Sequence, residues 1–84
     1  MGPYHVEISG WHNGLRKISM TYAIKDHAGL ELAASKAITD HVLEGGRASV
    51  ALPAVAPAER LAAELRALGA EATVHEVGGE RFER

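Results

Sequence analysis

Three short stretches of this chain alternate apolar and polar side chains, and the stretches between them repeat their apolar residues at helical spacing. No other feature constrains the fold as much. In the first, Tyr4 to Ser9, Val6 and Ile8 share one face while His5, Glu7 and Ser9 take the other, the period-2 mark of a half-buried strand. Arg47 to Leu52 alternates again and is stopped by Pro53. Glu71 to Val77 turns Ala72 and Val74 inward against Thr73 and His75. Gly78 to Arg84 reads as a frayed, flexible tail.

The intervening segments are helical. After the loop Gly10-Trp11-His12-Asn13-Gly14, a helix is predicted over Lys17 to His27. Met20, Ala23, Ile24 and His27 share one of its faces, and Ile18, Tyr22 and Lys25 share another. Two apolar edges on one short helix imply that it does more than cover a sheet. Gly29 ends it, and a second helix runs from Leu30 and Leu32 to about Glu44. Its expected buried stripe is Ala34, Ala37, Ile38 and Val42, small enough for close helix approach, with the pair Lys36 and Asp40 on the other side. Gly45-Gly46 is a stop signal. Pro57 fits the first turn of a third helix whose core face is Leu61, Leu65 and Leu68, opposed by Arg60 and Glu64, and Gly69 caps it.

The order strand, helix, helix, strand, helix, strand admits two sheets. A right-handed crossover makes the second and third strands parallel to each other. Paired directly, they would push the first strand to an edge. Placed between them, the first strand is antiparallel to both. All three strands carry one apolar and one polar face, which favours the second arrangement. The predicted fold is α+β: a two-layer β-α-α-β-α-β domain spanning residues 1–84, with a three-stranded antiparallel sheet of split β-α-β type and all helices on one face.

Composition excludes several classes. Hydrophobic residues at 46% and charged residues at 24% suit a globular domain of 84 residues. No apolar run approaches the ~20 residues of a spanning helix, and no secretory signal precedes Tyr4, so no membrane role is expected. A net charge of −2 provides no basic footprint for direct nucleic-acid binding. Ile18 to Leu43 echoes a helix-turn-helix, yet its second helix carries Glu31, Asp40 and Glu44 against Lys36 alone, which opposes a phosphate-lined groove. The absence of cysteine removes disulfides and thiolate chemistry and fits a reducing cytoplasm, the expected location.

Chemistry-bearing residues are scattered. His5 and His75 fall on adjacent strands of the open sheet face with Glu7 nearby, but no ligand spacing supports a metal site, so they read as solvated histidines. The serines Ser9, Ser19, Ser35 and Ser49 lack an elbow motif or an evident base, and no glycine loop cradles phosphate. Neither catalysis nor a cofactor is expected. What stands out is a mixed apolar and basic strip: Lys17, Ile18, Tyr22 and Lys25, with Lys36 of the next helix beside it. Apolar anchors rimmed by cations suit a protein-binding patch. The plainer alternative is that Ile18 and Tyr22 pack on the Trp11 loop.

Lys17 to Lys25, the following Gly29-Leu30-Glu31-Leu32, and Ala33-Ala34-Ser35-Lys36 resemble the C-terminal domain of the bacterial acidic ribosomal stalk protein. Glu64 to Val74 is similar to that family's closing helix, Gly-Ala-Glu turn and strand, and the likeness spans roughly residues 15–76. The resemblance implies the β-α-α-β-α-β fold, shared with the adaptor that feeds Clp proteases, and recruitment of translational GTPases by the first two helices. Lys17, Ile18, Lys25 and Lys36 match the family's contact positions. Tyr22 stands where the family has lysine, Thr21 replaces an isoleucine, and Ser35 replaces the alanine before Lys36. The stalk protein's dimerisation segment and hinge have no counterpart before Tyr4, so a free-standing relative is expected. The Clp adaptor is the second relative, but its Asn-Asp pair is Asn13-Gly14 here and Leu43 falls where its histidine belongs. Peptide binding would then centre on the Trp11 loop.

Overall fold

A computed structural model describes residues 3–76. Its elements are β1 (Tyr4–Trp11), α1 (Lys17–Ala28), α2 (Leu32–Leu43), β2 (Ala48–Leu52), α3 (Val55–Leu68) and β3 (Ala70–Glu76). Val77 and the Gly78–Arg84 tail lie outside the described residues. The strand order is β2-β1-β3, with β1 antiparallel to both neighbours, so the α+β split β-α-β sheet forms as the polar and apolar strand faces require.

Register explains the two faces. Val6 lies opposite Val50 and Val74, and Ile8 opposite Ala48 and Ala72. Directly opposed residues share a face. On that face Val6, Ile8, Val50, Leu52, Ala70 and Ala72 are buried against Met20, Ala23 and Ile24 of α1, Val42 of α2, and Leu61 and Leu65 of α3. Leu68, also expected in the core, is only half-buried at the end of α3.

The alternation of β1 breaks at a bulge. The register with β3 shifts between Ile8 and Gly10, after which Gly10 faces Glu71 and Trp11 faces the buried Ala70. One inserted residue turns each following side chain to the other face. Trp11 therefore stands on the helix side at the end of the sheet, 41% exposed, rather than among the open-face residues.

Two glycines end helices in the left-handed region. Gly29 (φ 71°) returns its N–H to the Lys25 carbonyl at 2.9 Å, and Gly69 (φ 109°) closes α3. The β1–α1 loop is tied to that second turn, because the His12 N–H donates to the Gly69 carbonyl at 2.9 Å and the Arg16 N–H to the Leu68 carbonyl at 3.0 Å.

Two sequence expectations are corrected. The buried side of α2 is Ser35, Thr39 and Val42 with Ile38 half-buried, whereas Ala34 and Ala37 are exposed. The small apolar stripe pointed one step around the helix from the true interface. Hydroxyls won because each has an acceptor: Ser35 Oγ donates to the Glu31 carbonyl at 3.0 Å and Thr39 Oγ1 to the Ser35 carbonyl at 3.2 Å. The second correction concerns Gly10 and Trp11, read as loop but carried in β1 by pairing with Glu71 and Ala70. On α3, Glu64 meets His27 Nε2 of α1 at 2.8 Å.

Candidate functional site

The seam between α1 and α2 is polar at its centre. Thr21 Oγ1 lies 2.8 Å from Thr39 Oγ1 and 3.0 Å from the Lys17 carbonyl, with its one proton available to either. Thr21, Ser35 and Thr39 are 7%, 0% and 2% exposed. Buried hydroxyls are costly unless bonded. Among the described residues no buried side-chain nitrogen or oxygen lacks a partner.

Above this floor the outer edge of α1 stays uncovered. Ile18 is 70% exposed and Tyr22 48%, and Leu32 at the start of α2 is 44% exposed. Ile18 and Tyr22 are thus not packed away beneath the Trp11 loop. Burying side chains of this size is worth about 1.5–3 kcal/mol each, so their exposure leaves a large attraction unused.

The groove has two adjoining halves. One, of about 240 Å³, is lined by Ile18, Thr21, Tyr22, Leu32 and Lys36. The other, of about 180 Å³, is lined by Lys17, Ile18, Thr21, Lys36, Thr39 and Asp40. Of the five residues singled out in the sequence, the groove brings together Lys17, Ile18, Tyr22 and Lys36. Lys25 lines neither half, and its ammonium lies 3.9 Å from the Asp26 carboxylate. Lys36 meets Asp40 at 3.0 Å, on the groove rather than away from it, while Lys17 forms no ion pair among the described residues.

Leu32, Thr21, Thr39 and Asp40 belong to the site but were not singled out. Thr21 and Ser35 carry a signal in the sequence as departures from the stalk pattern. Leu32 reads in the sequence as part of the helix start, where nothing in its spacing distinguishes an exposed anchor from a core residue.

On the open sheet face, His5 and His75 do face each other, with ring centroids 5.5 Å apart. The Glu7 carboxylate is engaged by His75 Nε2 at 3.2 Å and by Arg47 Nη1 at 3.4 Å, and His75 also bonds Thr73 at 3.1 Å. Among the described residues no group of three or more His, Asp or Glu is placed to hold a metal ion. No described helix is long and apolar enough to cross a membrane. The chain matches no family model and no curated protein.

Proposed function

We propose that this chain is a cytoplasmic, non-enzymatic protein-binding domain that receives its partner in the groove between α1 and α2, in the manner of the ribosomal stalk C-terminal domain it resembles. The observation that carries this reading is the convergence of Ile18, Tyr22 and Leu32 on one groove with Lys17 and Lys36 around them. Exposed apolar anchors supply affinity when a partner desolvates them, and surrounding cations steer an acidic surface into register. A non-catalytic role is supported by the groove's lining, whose threonine hydroxyls are engaged with each other and with helix carbonyls. A translational GTPase is the partner class that the resemblance implies. The second reading, Clp-adaptor-like peptide binding, is supported by the exposure of Trp11 at the sheet's end, beside Asn13.

The test is binding of a purified translational GTPase to the full chain, followed by residue-resolved amide shifts. Ile18→Ala and Tyr22→Ala should each weaken binding by about 5- to 30-fold, as interface anchors do, with melting temperatures unchanged because both side chains are exposed. Wild-type affinity in both variants overturns the groove. A partner that perturbs only Trp11 and Asn13 favours the adaptor reading.

A further inference from the structure

We infer that the polar half of the groove is a seat for a carboxylate side chain of the protein partner, and that Asp40 is a built-in stand-in that holds this seat in the free chain. The inference deepens the docking reading above and rests on it.

Charge placement carries it. Lys17 is the first residue of α1, in a first turn that holds no acidic residue, and Asp40 lies in the last turn of α2. A helix disfavours a cation at its amino end and an anion at its carboxyl end. Both residues therefore stand against the dipoles of their own helices, and both line the same cleft of about 180 Å³. The helix dipoles account for neither, and the i,i+4 pair with Lys36 gives Asp40 only a few tenths of a kcal/mol. A cleft that concentrates positive charge and keeps one carboxylate at hand accounts for both.

The lock is weak. Lys36 and Asp40 are joined at 3.0 Å with side chains 68% and 50% exposed. Their order, lysine before aspartate by four residues, is the less favourable orientation for such a pair. An incoming carboxylate can take the Asp40 position on Lys36 while Lys17 supplies a second cation. Beneath them Thr21 and Thr39 are buried and their hydroxyl protons are committed within the seam, so recognition of the carboxylate falls to the two ammonium groups. The adjoining half, with Ile18, Tyr22 and Leu32, is apolar. The fitting partner surface thus presents an apolar side chain with an acidic one beside it.

The experiment titrates the labelled full chain with the blocked peptide acetyl-Leu-Glu-Glu-Leu-Glu-Leu-amide, its glutamine counterpart, and inorganic phosphate. The acidic peptide should shift the amides of Lys17, Thr21, Lys36, Thr39 and Asp40 saturably. Asp40→Asn should tighten it about 1.5- to 2.5-fold, the range for freeing an exposed lysine from such a pair. Lys36→Gln should weaken it, and the glutamine peptide should not respond to Asp40→Asn. Asp40→Asn should fold normally, since it removes an anion from the carboxyl end of α2. Equal binding of the two peptides at Ile18, Tyr22 and Leu32 overturns the carboxylate seat and leaves the docking groove standing. Acidic-peptide binding that is unchanged or weaker in Asp40→Asn overturns the stand-in role. Failure of either peptide to shift any groove residue in that variant overturns the seat, and the Ile18 and Tyr22 variants against the GTPase then decide the docking reading separately. Tighter binding of phosphate than of the acidic peptide assigns the cleft to phosphate and also overturns the inference.

Discussion

Thr21 and Thr39 join two helices through one hydroxyl contact where an apolar pair would have used area alone. A buried group stripped of its partner costs more than a pair removed together. Thr21→Val and Thr39→Val should each destabilise the fold by about 1–2 kcal/mol, and the double variant should lose clearly less than their sum. Urea denaturation of the four proteins checks this, and strict additivity would show that the contact contributes nothing of its own. Periodicity hides these residues for a physical reason. A threonine counts as polar in any periodicity, and only its acceptors decide whether it can be buried. For Ser35 and Thr39 those acceptors are carbonyls one turn back, present in any helix, but the partner of Thr21 across the seam exists only once α1 and α2 pack.

At the scale of elements, helix ends were the most readable feature. Gly29 and Gly69 both adopt positive φ where the chain stops being helical. Their surroundings differ. Nothing lies near a Cβ added at Gly29, whereas one at Gly69 would sit 3.0 Å from the Leu15 Cα. Gly29→Ala should therefore cost about 1 kcal/mol, for the backbone alone, and Gly69→Ala about 2–3 kcal/mol, for backbone and collision together. Thermal melts of the two variants decide it, and equal costs would refute the crowding at Leu15. The bulge in β1 shows the limit of reading elements singly. Gly10 and Gly14 mark Trp11 as loop, and pairing with Ala70 instead carries β1 through it and turns it to the helix side. The bulge is a property of two strands in register, so β1 alone holds no sign of it.

For the whole molecule, a net charge of −2 hides a local asymmetry, because the groove holds Lys17, with no ion pair among the described residues, and Lys36, only loosely paired. Steering depends on the local field and screens with salt. Lys17→Gln and Lys36→Gln should slow association with an acidic partner several-fold at low salt and flatten its salt dependence, with a smaller rise in dissociation. Lys25→Gln should do much less, since that lysine lies beside Asp26 and outside the groove. Rapid-mixing kinetics at low and high salt separate the three, and an equal effect at Lys25 would argue for a broader patch.

The order of elements and the antiparallel sheet followed from periodicity, because each depends on spacing along one segment and on the requirement that every apolar face find a cover. The central place of β1 followed likewise, since one polar face per strand and a right-handed crossover leave it little alternative. Only the structure decided that the second apolar edge of α1 is exposed. The groove required tertiary structure. Its floor is a bond between Thr21 and Thr39, its apolar wall joins α1 to Leu32, and its charge balance depends on Asp40 reaching Lys36 on the side where Lys17 also lies. Such relations are set by the rotation of one helix against another. Side-chain acceptors and volumes fix that rotation at contact, and no repeat within a single segment encodes it.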